Sequence, residues 1–227
     1  MNQRFYHPGA LEIGSLIELS GEELHHARVT RIRPGENVEV FDGRGRNVLA
    51  VFEDQRLRIE SAVADDRESP IEIALAIALI QPEKFELVLQ KATELGVASF
   101  LPLVTARTEV RVERVLGKRE RWEKIVLEAV KQCGRSRIPT IAEPIPFEEA
   151  LEGPGLKILF DADSQESASA AAVRQATVFI GPEGGWSEEE TAKARELGCT
   201  FQNLGPRRLR AETAAIAACV ILAAPHP

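Results

Sequence analysis

The chain has 227 residues, of which 44% are hydrophobic, and it carries a formal net charge of −7. This apolar share excludes global disorder, and the length suits a small domain followed by a medium one. The opening residues lack the apolar core of a signal peptide, and no apolar run is long enough to span a membrane. Three separated cysteines, Cys133, Cys199 and Cys219, predict reduced thiols in a cytoplasmic protein and no metal site.

The first part of the chain shows the patterns of a small β-rich domain. Apolar and polar residues alternate over 11–20 and 37–54, with glycine-containing turns, which is typical of half-buried strands. A short helix is predicted over 21–32. The polar stretch ADDRESP, closed by Pro70, is typical of a linker, so we expect the first domain to span residues 1–70.

Strands and helices alternate from residue 71 onwards. The continuous apolar run 71–80 predicts a strand buried on both faces, and helical spacing of apolar residues follows over 83–95 and 122–133. Further strands are predicted at 97–104, 156–160, 177–180 and 201–204, and further helices at 187–197 and 211–224. This order predicts an α/β domain over 71–227, with a mainly parallel sheet covered by helices.

Two loops stand out at the predicted carboxyl ends of strands, where sheets of this class bind ligands. Residues 181–185 read GPEGG, and residues 204–214 read LGPRRLRAETA. Neither matches the dinucleotide fingerprint or the phosphate-binding P-loop. General rules alone favour an ordinary tight turn before a helix for GPEGG, and a ligand-binding loop is the alternative.

The segments FIGPEGGWSEEE and NLGPRRLRAETAA resemble the two signature segments of the RsmE-type methyltransferases, which methylate a uridine of 16S ribosomal RNA at ring N3. LVLQKATELGV, RWEKIVLEAVKQCGRSRIP and HHARVTRIRPGENVEVFDGRG resemble the same family in matching order, so the resemblance covers nearly the whole chain. It implies an N-terminal PUA-like β-barrel that binds RNA and a C-terminal SPOUT domain with a trefoil knot. It also implies methylation at the position called uracil-1498, a homodimer, and a substrate within the small ribosomal subunit.

The resemblance further implies S-adenosylmethionine as the cofactor, S-adenosylhomocysteine as its product, and no metal. Three loops would hold the cofactor. Their residues are Leu159, Phe160, Ile180, Gly181, Pro182, Glu183, Gly184, Gly185, Leu204, Gly205, Leu209, Arg210, Thr213 and Ala214. Glycine-bearing turns suit this role because backbone groups can approach a ligand where no Cβ intervenes.

Catalysis requires that uridine N3 lose its proton, and a carboxylate or a water that it orients is the simplest acceptor. Glu94, Glu183 and Glu212 are the candidates, and the sequence does not choose among them. Arg210 is a further catalytic candidate, and either it or Arg208 is expected to contact the cofactor carboxylate or an RNA phosphate.

The charge is unevenly distributed along the chain. Residues 107–137 carry ten Lys or Arg against five Asp or Glu, whereas 138–206 carry four against twelve. Local field decides the choice of a partner, so the first stretch is either an RNA surface or a solvated, salt-bridged helix face. The candidate RNA-binding residues are Arg4, Arg28, Arg31, Lys131, Gln132, Arg135 and Arg137.

Three other functions compete with uridine N3 methylation of 16S ribosomal RNA. The chain could modify another RNA position or transfer RNA, or it could be an RNA-binding assembly factor without catalysis. The intact GPEGG and LGPRRLRAETA loops favour a working cofactor pocket over the assembly factor. A small-molecule enzyme would need neither the β-rich first domain nor the basic stretch.

Overall fold

The computed structural model describes residues 3–19, 21–64, 67–165 and 173–223. It separates into two compact units. The first comprises residues 1–68 together with 130–138, and the second comprises 69–129 together with 139–227. The first unit is therefore discontinuous in sequence.

The first unit contains a five-stranded sheet and one helix. Its elements are β1 (Arg4–Tyr6), β2 (Leu16–Glu18), α1 (Gly21–Val29), β3 (Asn37–Phe41), β4 (Asn47–Glu53) and β5 (Arg56–Val63). The strand order is β1-β3-β4-β5-β2, with β1 parallel to β3 and the other pairs antiparallel. Val38, Val40 and Val48 lie at alternate positions facing a core that includes Phe5 and Leu57. The predicted β-rich pattern is confirmed, although the strand expected over 11–20 is only three residues long.

The remaining elements form an α/β arrangement. They are β6 (Glu72–Ala78), α2 (Pro82–Glu94), β7 (Ser99–Val104), α3 (Glu113–Leu116), α4 (Arg119–Cys133), β8 (Thr140–Ile141), β9 (Ile145–Pro146), α5 (Phe147–Ala150), β10 (Leu156–Phe160), β11 (Gln175–Ile180), α6 (Glu188–Glu196), β12 (Thr200–Gln202) and α7 (Ala211–Ala223). The last residues of α4, from 130 to 133, belong to the first unit.

The second unit is organised around a parallel sheet of order β12-β10-β11-β6-β7-β8, with β9 also paired to β7. Ile73, Leu75 and Ile77 of β6 are fully buried, as expected for a strand covered on both faces. Helix α7 packs against α2, β6 and β11. The predicted parallel α/β sheet is confirmed. Because β10, β11 and β12 are parallel neighbours, their carboxyl ends meet at one edge.

The helix ends follow the sequence signals. Gly96 and Gly134 directly follow the C-caps of the predicted helices and have φ values of 94° and 90°, which suit glycine. Ser187 caps α6 in a complete capping box with Glu190. Within the described residues, no helix has the length and apolar character that crossing a membrane requires.

Candidate active site

A cavity of about 560 Å³ lies at the edge of the second unit where β10, β11 and β12 end. Its walls come from the loops that follow these three strands, from the start of α7, and from Arg107 in the loop after β7. Parallel strands bring loops that are distant in sequence to one place, and this edge is where sheets of this class bind ligands.

Hydrogen bonds join the three loops to one another. The Trp186 indole Nε1 donates to the Phe160 carbonyl at 3.1 Å, which ties the loop after β11 to the end of β10. Asp161 donates its backbone N–H to the Gln202 carbonyl at 3.0 Å. The Asn203 side chain donates to the Ser164 carbonyl, so the loop after β12 is fixed to the loop after β10. The protein's own hydrogen bonds therefore hold the cavity walls to one another.

The glycines of GPEGG make room for side chains as well as for a ligand. A Cβ at Gly181 would lie 3.0 Å from the Trp186 ring, and a Cβ at Gly184 would lie 3.2 Å from Cβ of Arg107. Gly185 has a φ of 71°, which other residues rarely adopt. These glycines keep the turn narrow and leave its backbone exposed to the cavity, which fits a ligand recognised through main-chain groups.

Both signs of charge line the cavity. The charged lining residues are Arg107, Arg207, Arg208, Arg210, Asp161, Asp163, Glu183 and Glu188. Lys84 at the start of α2 donates to Glu183 Oε1 at 2.9 Å. Burial acts to raise the pKa of Glu183, but the hydrogen bond from Lys84, a backbone hydrogen bond and the charge of Lys84 together outweigh it, so this pKa lies below its ordinary value. Glu183 is therefore ionised at neutral pH.

The structure gathers nearly all of the predicted cofactor-binding residues at this cavity. Leu159 and Thr213 are the exceptions: Leu159 is fully buried in the core cluster, and Thr213 is exposed on α7 outside the lining. Of the catalytic candidates, Arg210 and Glu183 line the cavity, whereas Glu94 and Glu212 do not. Glu94 instead accepts hydrogen bonds from Lys91 on the same helix.

Several lining residues were absent from the predicted set. They include Arg107, Asp161, Asp163 and Trp186. Asp161 and Asp163 directly follow a strand predicted at 156–160, so the position of that strand end was the available signal. Arg107 had no such signal, because it follows β7, which is separated from β11 by β6.

The structure places three predicted RNA-binding residues in ion pairs with carboxylates of the first unit. Arg4 is 7% exposed and forms a salt bridge with Glu39 at 3.2 Å. Arg135 is 3% exposed and pairs with Glu68 at 2.7 Å. The Lys131 side chain is 8% exposed and binds Glu23 at 2.8 Å. Their charges hold protein carboxylates and are not presented to solvent. The other four predicted residues, Arg28, Arg31, Gln132 and Arg137, are exposed.

Several basic side chains of the stretch 107–137 form salt bridges with carboxylates of the protein. In the second unit, Arg121 forms two hydrogen bonds of 2.6 Å with Glu86, and Arg119 binds Glu123 and Glu143. The Arg121 guanidinium and burial have opposite effects on Glu86, and the arginine dominates, so the pKa of Glu86 is lowered. The salt-bridged helix face thus describes much of this stretch better than an open phosphate-binding surface.

Comparison with known proteins gives matches over both units. A model of the RNA methyltransferase domain matches residues 67–223, and a model of the RNA methyltransferase PUA domain matches residues 19–60. The chain is 33% identical to the ribosomal RNA small subunit methyltransferase E of Synechocystis sp., over 89% of this chain and 71% of that protein. Identity to the protein of the same name from Mycobacterium tuberculosis is 31%, over 94% and 88% of the two chains.

Solved structures agree with this. The ribosomal RNA small subunit methyltransferase E from Neisseria gonorrhoeae, bound to S-adenosyl methionine, has 32% identity and a TM-score of 0.85, covering 98% of this chain and 97% of that one. A protein from Legionella pneumophila in complex with the cofactor SAM has 35% identity and a TM-score of 0.87, with the same coverage. The predicted fold class, a SPOUT-type α/β sheet preceded by a small PUA-like domain, is confirmed. The chain belongs to the RNA methyltransferase family, in the group of the ribosomal RNA small subunit methyltransferase E proteins.

Proposed function

We propose that this protein methylates ring N3 of a uridine in 16S ribosomal RNA with S-adenosylmethionine as methyl donor. The observation that carries the proposal is the cavity at the ends of β10, β11 and β12, built from the two segments that resemble the family signatures. Relatives with this name and a related structure bound to S-adenosyl methionine support the same activity.

The residues of the cavity fit this cofactor. Main-chain groups of 181–185 and 204–205 are available to an adenine edge, and Ile180, Leu204 and Leu209 provide apolar surface for the base. Asp161, Asp163 and the arginines of 207–210 supply opposite charges for the ends of an amino acid moiety. When bound, S-adenosylmethionine supplies an activated methyl group on a sulfonium centre.

We propose that the carboxylate of Glu183 accepts the proton from uridine N3. Of the three candidate carboxylates, it is the one that lines the cavity, and Lys84 keeps it ionised and fixed in position. A general base must be ionised and within hydrogen-bond reach of the proton that it accepts. Loss of this proton makes N3 nucleophilic, and the cavity walls hold the uridine and exclude water while it reacts.

RNA binding is assigned to exposed residues of the first unit. Arg28, Arg31, Gln132 and Arg137 remain after the buried arginines are removed from the predicted set. A single-stranded or looped RNA exposes the uridine edge that a duplex conceals, so we propose such a region of 16S ribosomal RNA, within the small subunit, as substrate.

The decisive experiment is nucleoside mass spectrometry of 16S ribosomal RNA from a strain lacking this protein. We expect 3-methyluridine to be lost, to return with the wild-type gene, and not to return with Glu183→Gln. Unchanged 3-methyluridine in the deletion strain would contradict the proposed activity. Another missing methylated nucleoside would identify the alternative, a methyltransferase that acts at another RNA position.

Location and topology complete the proposal. Three free cysteines and an RNA substrate support a cytoplasmic protein. We also propose the trefoil knot of the SPOUT class. Support comes from α7, which packs against β6 and β11, although the preceding strand β12 lies at the far edge of the sheet beside β10. An experimental structure traced continuously through residues 156–223 tests the knot.

A further inference from the structure

Arg107 contacts the GPEGG loop from outside the three loops that form most of the cavity. Its guanidinium Nη1 donates a hydrogen bond of 2.8 Å to the Gly184 carbonyl, in the middle of the turn. This bond joins the loop after β7 to the loop after β11, across the intervening strand β6. Charged donors give stronger hydrogen bonds than neutral ones, so the bond is well suited to fix the direction of a carbonyl.

Gly184 is shaped by the same contact. A Cβ at this position would lie 3.2 Å from Cβ of Arg107, closer than side chains normally pack, and 3.5 Å from its Cδ, which is ordinary contact. The backbone of Gly184 is not in the left-handed region, so no conformational demand explains the glycine. Its lack of a side chain leaves the space that the stem of Arg107 occupies.

A buried carboxylate fixes the backbone beside Arg107. Glu190 is 4% exposed, and its Oε1 accepts the Ala106 N–H at 2.8 Å. Its Oε2 accepts the Ser187 N–H, also at 2.8 Å, at the start of α6. The two oxygens therefore hold the loop after β7 and the cap of α6 at once. Arg107 is thus delivered to Gly184 by a backbone that has little freedom to move.

We propose that Arg107 is a positioning residue of the cofactor site, which acts by fixing the Gly184 carbonyl and hence the shape of the GPEGG turn. Glu190 sets the position of Arg107, and Gly184 is glycine because Arg107 needs the space. This inference rests on the proposed function, since it assigns cofactor binding to the same cavity. It predicts that side chains at 107 and 184 act on cofactor affinity as one unit.

A double-mutant cycle tests this coupling. Calorimetry would give the dissociation constant of S-adenosylhomocysteine for the wild type, Arg107→Ala, Gly184→Ala and the double variant. We expect each single variant to bind about three- to tenfold more weakly, as for an ordinary hydrogen bond and less than for a buried charged one, because Arg107 is exposed. The double variant should match Arg107→Ala within about twofold, because the hydrogen bond between Arg107 and the Gly184 carbonyl, which Gly184→Ala would disturb, is already absent.

The possible outcomes separate the two proposals. If the losses of affinity in the two single variants add up in the double variant, Gly184 serves the ligand directly. That result would overturn the role of Arg107 and leave the proposed function standing. A wild-type chain that binds no S-adenosylhomocysteine would overturn both the role of Arg107 and the proposed function. Arg111→Ala is the matched control, because this exposed arginine of the same loop does not line the cavity, and its affinity should remain unchanged.

Two further variants distinguish positioning from general damage. Arg107→Lys retains a donor and should recover part of the affinity, whereas Arg107→Met keeps the length without a donor and should not. Glu190→Gln has one acceptor oxygen where two N–H groups need acceptors, so as a single substitution it should weaken cofactor binding. Combined with Arg107→Ala, it should weaken cofactor binding little further. In kinetics, Arg107→Ala should raise KM for the cofactor and leave kcat within about twofold. Loss of kcat at unchanged KM would overturn a positioning role.

Discussion

At the scale of single residues, the charged groups of this protein do different work from what their positions in the sequence suggest. Arg135 lies in a basic run that is typical of RNA contacts, yet its guanidinium is buried against Glu68. Glu183 lies in a glycine turn, where its charge is held by Lys84 of another segment. Charge counted along the chain misses partners that only the fold brings together.

The ion pair between Lys84 and Glu183 makes activity depend on pH in a defined way. Lys84 lowers the pKa of Glu183, so Lys84→Met removes that effect and leaves burial, which raises the pKa. Activity that requires an ionised carboxylate is lost as the pH falls through the pKa of that carboxylate. We therefore expect the acid limb of the kcat profile to move to higher pH in Lys84→Met.

The matched control is Lys91→Met, because Lys91 lies on the same helix but pairs with Glu94, outside the cavity lining. Its acid limb should coincide with that of the wild type. An acid limb that is the same in Lys84→Met and the wild type would contradict the assignment of Glu183 as the proton acceptor.

At the scale of elements, the longer helices and strands were predictable and the shorter ones were not. The continuous apolar run 71–80 and the strongly periodic helix up to Gly134 have clear ends, and the structure contains both the strand and the helix. Strands β8 and β9 and helices α3 and α5 have two to four residues each, too few for any period to appear. They are stabilised by tertiary contacts such as the pairing of β8 and β9 with β7.

The candidate active site likewise has parts that the sequence predicts and parts that it does not. The two glycine loops were predictable because their sequences are unusual and they follow strands. The contribution of Arg107 was not, because it depends on sheet order and on a carboxylate 83 positions further along, at Glu190. Burial of Arg4 and Arg135 was also hidden, since a local sequence carries no sign of a distant partner. Resemblance to a family identified the loops, whereas the ion pairs of Arg4 and Arg135 are seen only in the structure.

The segment 130–138 is an element of the first unit, and Arg135 tests this. Glu68 accepts hydrogen bonds from the Arg135 side chain and from the backbone N–H groups of Ser136 and Arg137. Arg135→Ala leaves that carboxylate without its charged partner. We expect a loss of about 2–3 kcal/mol in the free energy of unfolding, less than the roughly 3–5 kcal/mol of a fully buried pair, because Glu68 is partly exposed.

Urea denaturation followed by circular dichroism measures this loss. Arg137→Ala is the matched control, because Arg137 is exposed and its backbone bonds survive the substitution, so its change should stay within about 0.5 kcal/mol. Equal stability of Arg135→Ala and the wild type would show that the ion pair with Glu68 contributes nothing net.

At the scale of the whole molecule, we propose a homodimer, as the family resemblance implies. Val220 and Ile221 of α7 are 47% and 40% exposed, and Leu87 of the neighbouring helix α2 is 41% exposed. Large apolar side chains exposed on adjacent helices are typical of an interface. The occupant that we propose for this surface is a second copy of the chain.

Light scattering at low micromolar concentration should give twice the chain mass of 25.0 kDa. Val220→Glu places a charge on this surface and should shift the population towards the monomer. Val29→Glu is the control, because Val29 is 64% exposed on α1 of the first unit and belongs to neither helix of the proposed interface. A wild-type protein that is monomeric and fully active would contradict the dimer.

The return of residues 130–138 to the first unit has a consequence for the order of folding during synthesis. A ribosome releases residues 1–68 well before it has made the segment 130–138, which Arg4, Glu23 and Glu68 bind. N-terminal domains usually fold first as they emerge, but this one must wait for residues 69–129 to be translated before its polar groups are satisfied. Excision of residues 1–70 as a cassette would therefore expose Arg4 and leave Glu23 and Glu68 without their basic partners, so the unit is not a transplantable module.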